Sequence, residues 1–293
     1  MGFGRTAPGP HRQENRLKTK TEYLASMLDI TRSGMVDIML MSASSAEALG
    51  SKTFSKSKVT SAVRLNDTTD IWSQRGATYK DFPSQPYRSA RLSQARKISD
   101  LGLYSVTYSN NVNHDIKSLE AYAAFREAAH KLKFRHFLEV FNPAMDIGLK
   151  GAPLSEYVND CIVRTLAGVM SAEYPLFLKM PYNGAAAMEE LASYDPTKLI
   201  VGILGGGKGT TRDTFELATQ AERHGARVAL FGRKINFAEA PVELVRLMRA
   251  SVEGQMTCAD AVKAYHDHLA KHKIKADRSL KDDIEITEAV LKV

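Results

Sequence analysis

Residues 199–211 read LIVGILGGGKGTT, and residues 227–235 read RVALFGRKI. Each begins as an apolar, β-prone run and ends in glycine followed by a cation, and a helical pattern at 211–224 lies between them. Strand, helix and strand within about 30 residues make one βαβ unit, whose two strands run parallel. The same alternation extends in both directions from this unit. Strand-like runs fall at 35–41 (MVDIMLM), 59–65, 103–108 (LYSVTY), 136–141 (HFLEVF), 176–180 (LFLKM), 199–204 and 227–231. Helical patterns fall at 12–30, 116–132, 154–170, 185–192 and 211–224. Near-continuous apolar strands alternating with helices predict a parallel sheet covered by helices.

An open doubly wound sheet and a closed (β/α)8 barrel both satisfy that pattern. Polar residues at the strand ends separate them. Arg64, Asn66 and Asp67, then Asn110 and Asn111, Glu139 and Asn142, Lys179 and Tyr182, and Arg233 all follow apolar runs. A barrel uses the C-terminal ends of many strands at once, whereas an open sheet gathers its chemistry at one switch point. The expected fold is therefore an α/β TIM barrel. Seven runs are visible, so its first strand is short or missing. Residues 1–293 read as one domain, with an N-terminal loop at 1–11 and C-terminal helices at 236–293. Residues 73–93 are irregular and aromatic, the composition of a lid or a partner contact.

Composition narrows the function classes. The chain has 293 residues, 44% hydrophobic and 25% charged, which excludes a largely disordered protein. No apolar run reaches the ~18–20 residues of a membrane span, and the N-terminus lacks a signal-type apolar core. No membrane partner is expected. Two cysteines, Cys161 and Cys258, make no disulfide framework or zinc pattern, and they suit a reducing, cytoplasmic location. The formal charge of +7 is spread along the chain. It fits a solvated basic surface or an anionic small-molecule substrate better than a nucleic-acid footprint, and no nucleic acid is expected.

The glycine run at 205–209 allows three readings. A nucleotide P-loop matches the spacing from Gly202 to Lys208, but Gly209 stands where a magnesium-holding hydroxyl belongs. A tight turn would use the glycines for their backbone freedom alone. A phosphate cradle uses them to bring backbone N–H groups close to an anion. The next strand favours the cradle, because Gly232 and Arg233 end it and adjacent late barrel strands form the usual phosphate site. Gly206, Gly207, Lys208, Gly232 and Arg233 are the candidates, with the Arg233 guanidinium suited to a bidentate contact.

Lys179 lies in an apolar strand, FLKMPY. Apolar surroundings lower an amine's pKa, and a neutral amine is the nucleophile that forms a Schiff base. The bland alternative is a strand-end lysine that reaches to water.

Together FLKMPYNG, VGILGGGK and LFGRKI resemble the class I aldolases of the DeoC/FbaB/LacD group, most clearly over residues 130–240. The resemblance implies a TIM barrel and an imine-forming lysine at Lys179. It also implies phosphate bound by Gly206, Gly207, Gly232 and Arg233, and C–C bond cleavage or formation next to a ketone without metal or other cofactor. Homo-oligomers are implied too. Glu139 is the candidate general acid or base, with an ion pair to Arg64 or Lys179 as its alternative reading. Tyr182 and Tyr108 are weaker proton-shuttle candidates. Arg64 and Asp67 are candidate substrate contacts, although Asp67 and Asp70 would also serve as turn caps. His136 reads as structural.

The expected activity is that of a metal-independent class I aldolase acting on a phosphorylated sugar-like substrate. A thiolase- or transaldolase-like transfer through the same imine, and a barrel that binds sugar phosphates without catalysis, are the alternatives. The family's usual acid at the end of strand one has no counterpart here. Seven strands would leave two edges with unpaired backbone groups. Residues 1–7, a partner subunit, or chain upstream of Met1 would have to cover them.

Overall fold

The computed structural model describes residues 18–72 and 76–292. The residues expected to form the N-terminal loop and the first third of the opening helix lie outside that range. Helix α1 spans Lys20–Ser33. Its start is set by a capping box: the Thr19 hydroxyl accepts from the Glu22 amide, and the Glu22 carboxylate accepts from the Thr19 amide at 2.7 Å. Gly34, at φ +66°, ends it in the left-handed conformation.

Among the described residues, seven parallel strands follow the expected runs. They are β1 (Ile38–Ser42), β2 (Thr60–Arg64), β5 (Leu101–Thr107), β6 (Arg135–Phe141), β7 (Leu178–Lys179), β8 (Gly202–Leu204) and β9 (Val228–Leu230). The remaining pair, β3 (Asn66–Thr68) and β4 (Pro86–Arg88), forms an antiparallel ribbon, of which only β4 lies within the segment expected to be irregular. The five-stranded sheet runs β1-β2-β5-β6-β7. The Met180 amide donates to Gly202 O at 3.0 Å and the Leu204 amide to Met180 O at 2.8 Å, joining that sheet to the β8-β9 pair. The β7 ladder stops at Pro181, which has no N–H to donate.

Strand alternation sorts the side chains into two layers. Leu101, Leu103, Phe137 and Phe177 form one cluster with Ala62, and Ile38, Leu40, Val228 and Leu230 pack against it. That cluster draws on both outermost strands, β1 and β9, so the sheet curls around a shared interior. The opposite faces, with Val63, Tyr104, Val106, Leu138 and Met180, pack under the helices in the main core. This curled parallel sheet under helices matches the TIM-barrel arrangement expected from the sequence, with seven parallel staves among the described residues. No pairing joins β1 to β9 among the described residues. The consequence is visible in burial: β5 is buried throughout, while Ala229 in the middle of β9 is exposed.

The helices are longer or shorter than the sequence pattern by a few residues. In chain order they are α2 (Ala43–Leu49), α3 (Ser51–Ser55), α4 (Leu92–Ala95), α5 (Val112–Lys131), α6 (Ala152–Ala167), α7 (Ala185–Tyr194) and α8 (Thr211–Arg223). Then come α9 (Arg233–Asn236), α10 (Pro241–Val252), α11 (Cys258–Lys271) and α12 (Leu280–Asp283). Phe215 of α8, Leu244 and Leu247 of α10, and Val262, Tyr265 and Leu269 of α11 form a second apolar cluster, which fixes the C-terminal helices to the barrel. Among the described residues no helix is long and apolar enough to cross a membrane.

Candidate active site

The barrel interior is apolar in its lower layers and charged at the next level up. Glu139 pairs in register with Ser105 on one side and Lys179 on the other. Each stands two residues past an interior-facing residue (Leu103, Phe137, Phe177), so all three side chains point inward. Arg64 joins them from the end of β2. Glu139 is 0% exposed and Lys179 1%.

Their contacts form one network. The Lys179 ammonium donates to Glu139 Oε1, and Arg64 Nη2 donates to Glu139 Oε2 at 2.8 Å. Ser105 Oγ donates to the same Oε2 at 2.7 Å and accepts from Arg64 Nη1 at 2.9 Å. Asn66 clamps the Ser105 backbone from both sides, with Nδ2 donating to its carbonyl at 2.8 Å and Oδ1 accepting from its amide at 2.6 Å. Asp67 lies 3.5 Å from Arg64 Nη1. Glu139 therefore has both of its alternative ion-pair partners at once.

Burial drives the Lys179 pKa below the ordinary lysine value; the Glu139 charge opposes this, and the charges of Arg64 and Arg233 reinforce it. Burial alone would raise the Glu139 pKa, but the Lys179 and Arg64 charges outweigh it and hold the carboxyl below the usual range. Asp67 is pushed up to about 6 by burial, against the pull of Arg64. A lysine that burial makes easier to deprotonate than an ordinary one thus touches a carboxylate held in its ionised form. That combination suits nucleophilic addition with proton transfer at contact distance.

The other expected residues divide. Gly232 and Arg233 follow β9 at the same end of the barrel, and the Arg233 charge is felt at Lys179. Gly205 packs against the Phe231 ring, where a Cβ would come within 3.0 Å, so the β8 and β9 loops lie side by side. Gly206 takes φ +63°, and Gly207 has open space where a side chain would be. Lys208 turns elsewhere: its ammonium pairs with Asp277 and lies 3.8 Å from Glu239, both outside the barrel mouth. Tyr182 also departs from the cluster. It packs in the helix-side core with Met180, and its charged neighbours are Glu189 of α7 and Arg223 of α8. The Tyr108 hydroxyl contacts Thr165 on α6. His136 is buried against Tyr122 at 2.9 Å, and burial lowers its pKa to about 3. Asp70 anchors the long loop rather than a helix, accepting from Ser84 Oγ at 2.7 Å and Thr107 Oγ1 at 3.2 Å.

Ser105 and Asn66 are the site residues that sequence reasoning did not single out for this role. The available signal was the small hydroxyl residues of LYSVTY, Ser105 and Thr107, which share a strand face with Leu103.

Neither a protein-family model nor a curated sequence matches this chain. Its fold has clear counterparts among solved structures. An archaeal fructose 1,6-bisphosphate aldolase superposes with a TM-score of 0.62 at 15% identity, covering 87% of this chain and 92% of the other. The fructose-bisphosphate aldolase of Slackia heliotrinireducens gives 0.63 at 13% identity, over 96% and 82%. A Schiff-base-forming fructose-1,6-bisphosphate aldolase, described with its reaction intermediates, gives 0.58 at 16% identity, over 77% and 82%. The chain has the fold of class I aldolases.

Proposed function

We propose that this protein is a class I, Schiff-base-forming aldolase that cleaves or forms a C–C bond in a phosphorylated sugar-like substrate. The observation that carries the reading is Lys179, buried at the C-terminal end of β7 and in contact with the Glu139 carboxylate. Glu139 takes the proton from Lys179, which frees the amine to add to the substrate carbonyl. The carbonyl oxygen becomes the carbinolamine hydroxyl. Protonated by Glu139, it leaves as water and an iminium remains. The iminium then accepts the electron pair of the breaking C–C bond as an enamine, while the alcohol proton beside that bond passes to a base. Arg64 and Ser105 hold Glu139 in place for both transfers. The amides at Gly206, Gly207 and Gly232 and the guanidinium of Arg233 bind the phosphate.

Borohydride tests this directly, because it reduces an imine to a stable amine. Incubation with dihydroxyacetone phosphate and borohydride should add a mass that maps to the peptide containing residues 177–182. Lys179→Met keeps the volume, leaves Glu139 paired to Arg64, and should abolish both trapping and turnover with the circular dichroism unchanged. A label on another lysine, or an active Met variant, would overturn the assignment.

A further inference from the structure

Beyond α11 the chain returns to the start of α8, and Leu291 is buried in the main core. The polar contacts of residues 283–288 converge on residues 208–213, the hinge between the glycine loop and α8. The Thr210 hydroxyl donates to Glu285 O at 2.8 Å, and the Thr211 amide donates to Asp283 Oδ1 at 2.8 Å. The fully buried Asp213 carboxylate accepts from the Thr287 amide at 2.8 Å, the Thr287 hydroxyl and the Glu288 amide at 3.2 Å. It also accepts from the Thr210 amide at 2.9 Å. Burial alone would raise the Asp213 pKa, but these donors outweigh it and hold the carboxyl below its usual range. The buried Lys234 ammonium donates to Glu288 Oε1 at 2.7 Å and to the Lys208 carbonyl at 3.3 Å. One lysine thus ties α9, the glycine loop and the C-terminal tail together.

The loop depends on such anchoring. A Cβ on Gly206 or Gly207 would meet nothing within 4 Å, so packing does little to fix the middle of the loop. Glycine also loses more backbone freedom on ordering than any other residue. A cradle of N–H groups binds an anion well only when those groups are already aimed. The upstream end of the loop is held by β8 and by Gly205 against Phe231. The downstream end is held by the tail. The same contacts decide where an anion can sit. A helix start is the ordinary anion site, but here Asp283 and Asp213 already occupy the Thr211 and Thr210 amides. Two carboxylates at the start of α8 leave a phosphate to the loop amides and Arg233.

We infer that Thr287, Glu288 and Lys234 are positioning residues that hold the glycine loop in its phosphate-binding shape, and so set the preference for a phosphorylated over an unphosphorylated substrate. This rests on the phosphate-binding part of the reading above and not on the imine.

The test titrates the full chain with inorganic phosphate by calorimetry and, separately, traps unphosphorylated dihydroxyacetone with borohydride. Glu288→Ala unties Lys234 from the tail. Thr287→Val removes one hydroxyl from Asp213 and leaves every charge in place, should the first variant fold poorly. A loop left in its binding shape about one tenth of the time would bind phosphate about tenfold more weakly. Either variant should show a loss of that order, with faster amide exchange over residues 205–209 and unchanged trapping of dihydroxyacetone at Lys179. Parental phosphate affinity in both variants, or no phosphate binding by the parent, overturns the inference. An equal loss of phosphate binding and trapping also overturns it, since the tail would then serve the fold alone. If the parent traps no ketone, the Schiff-base reading fails, and the phosphate titrations decide the inference by themselves.

Discussion

Glu139 is held by three donors, and each does a separate job. In the proposed reaction Ser105 orients the carboxylate, Lys179 exchanges a proton with it, and Arg64 neutralises it. Arg64 also acts on Lys179 through space, because its charge lowers the lysine pKa. Removing that charge raises the pKa, so a higher pH is needed to free the amine. Arg64→Met should therefore shift the pH at which imine trapping is half-maximal upward from the parent value. A profile that stays in place would mean that Arg64 serves packing alone. At the mouth, Arg233 is exposed and makes no ion pair among the described residues. Arg233→Ala should weaken binding of a phosphorylated ligand by ~1.5–3 kcal/mol, the range for hydrogen bonds to charged groups. An unphosphorylated analogue should be nearly unaffected, and calorimetric titration of the two ligands makes the comparison.

Among the elements, β8 depends on one glycine. A Cβ on Gly202 would lie 2.6 Å from the Leu178 carbonyl oxygen and 2.9 Å from Val228 Cβ. Neighbouring strands bracket it on both sides, and a backbone oxygen cannot swing away as a side chain can. Gly202→Ala should cost ~1–3 kcal/mol of stability, the usual penalty of overpacking. Urea denaturation measures it, and an unchanged midpoint would show that β8 is looser than its contacts imply. The β3-β4 ribbon is the element that sequence patterning hid. Asn66, Asp67 and Thr68 are polar yet buried, because Asn66 bonds Ser105 and Thr68 lies beside Thr107. Local patterning marks such a segment as loop, since only distant partners make its burial affordable.

At the scale of the molecule, the seven parallel strands among the described residues curl in the TIM-barrel manner, with β1 and β9 at the two ends of the order. Strands β5 and β6, paired on both sides and buried, should exchange their amide hydrogens only through global unfolding. Strands β1 and β9, each paired on one side among the described residues, should exchange much earlier. Amide exchange followed by mass spectrometry separates the groups. Equal, strong protection of all four strands in a monomer would show that the seam is closed.

The chain's periodicity determined the seven strands, the helices between them, and the placing of Lys179 and Glu139 at inward strand ends. These are properties of neighbouring residues, since alternation along a strand is set by the backbone itself. The tertiary structure alone decided which of the polar residues meet. Arg64 and Glu139 are 75 positions apart, and Asn66 and Ser105 are 39 apart. Lys208 was drawn to Asp277, 69 positions on, rather than to the mouth. Pairings of that range follow from strand order and register, which bring distant residues to one level of the barrel. Likewise, only the tertiary structure brings β1 and β9 to opposite ends of the strand order, with no pairing between them among the described residues.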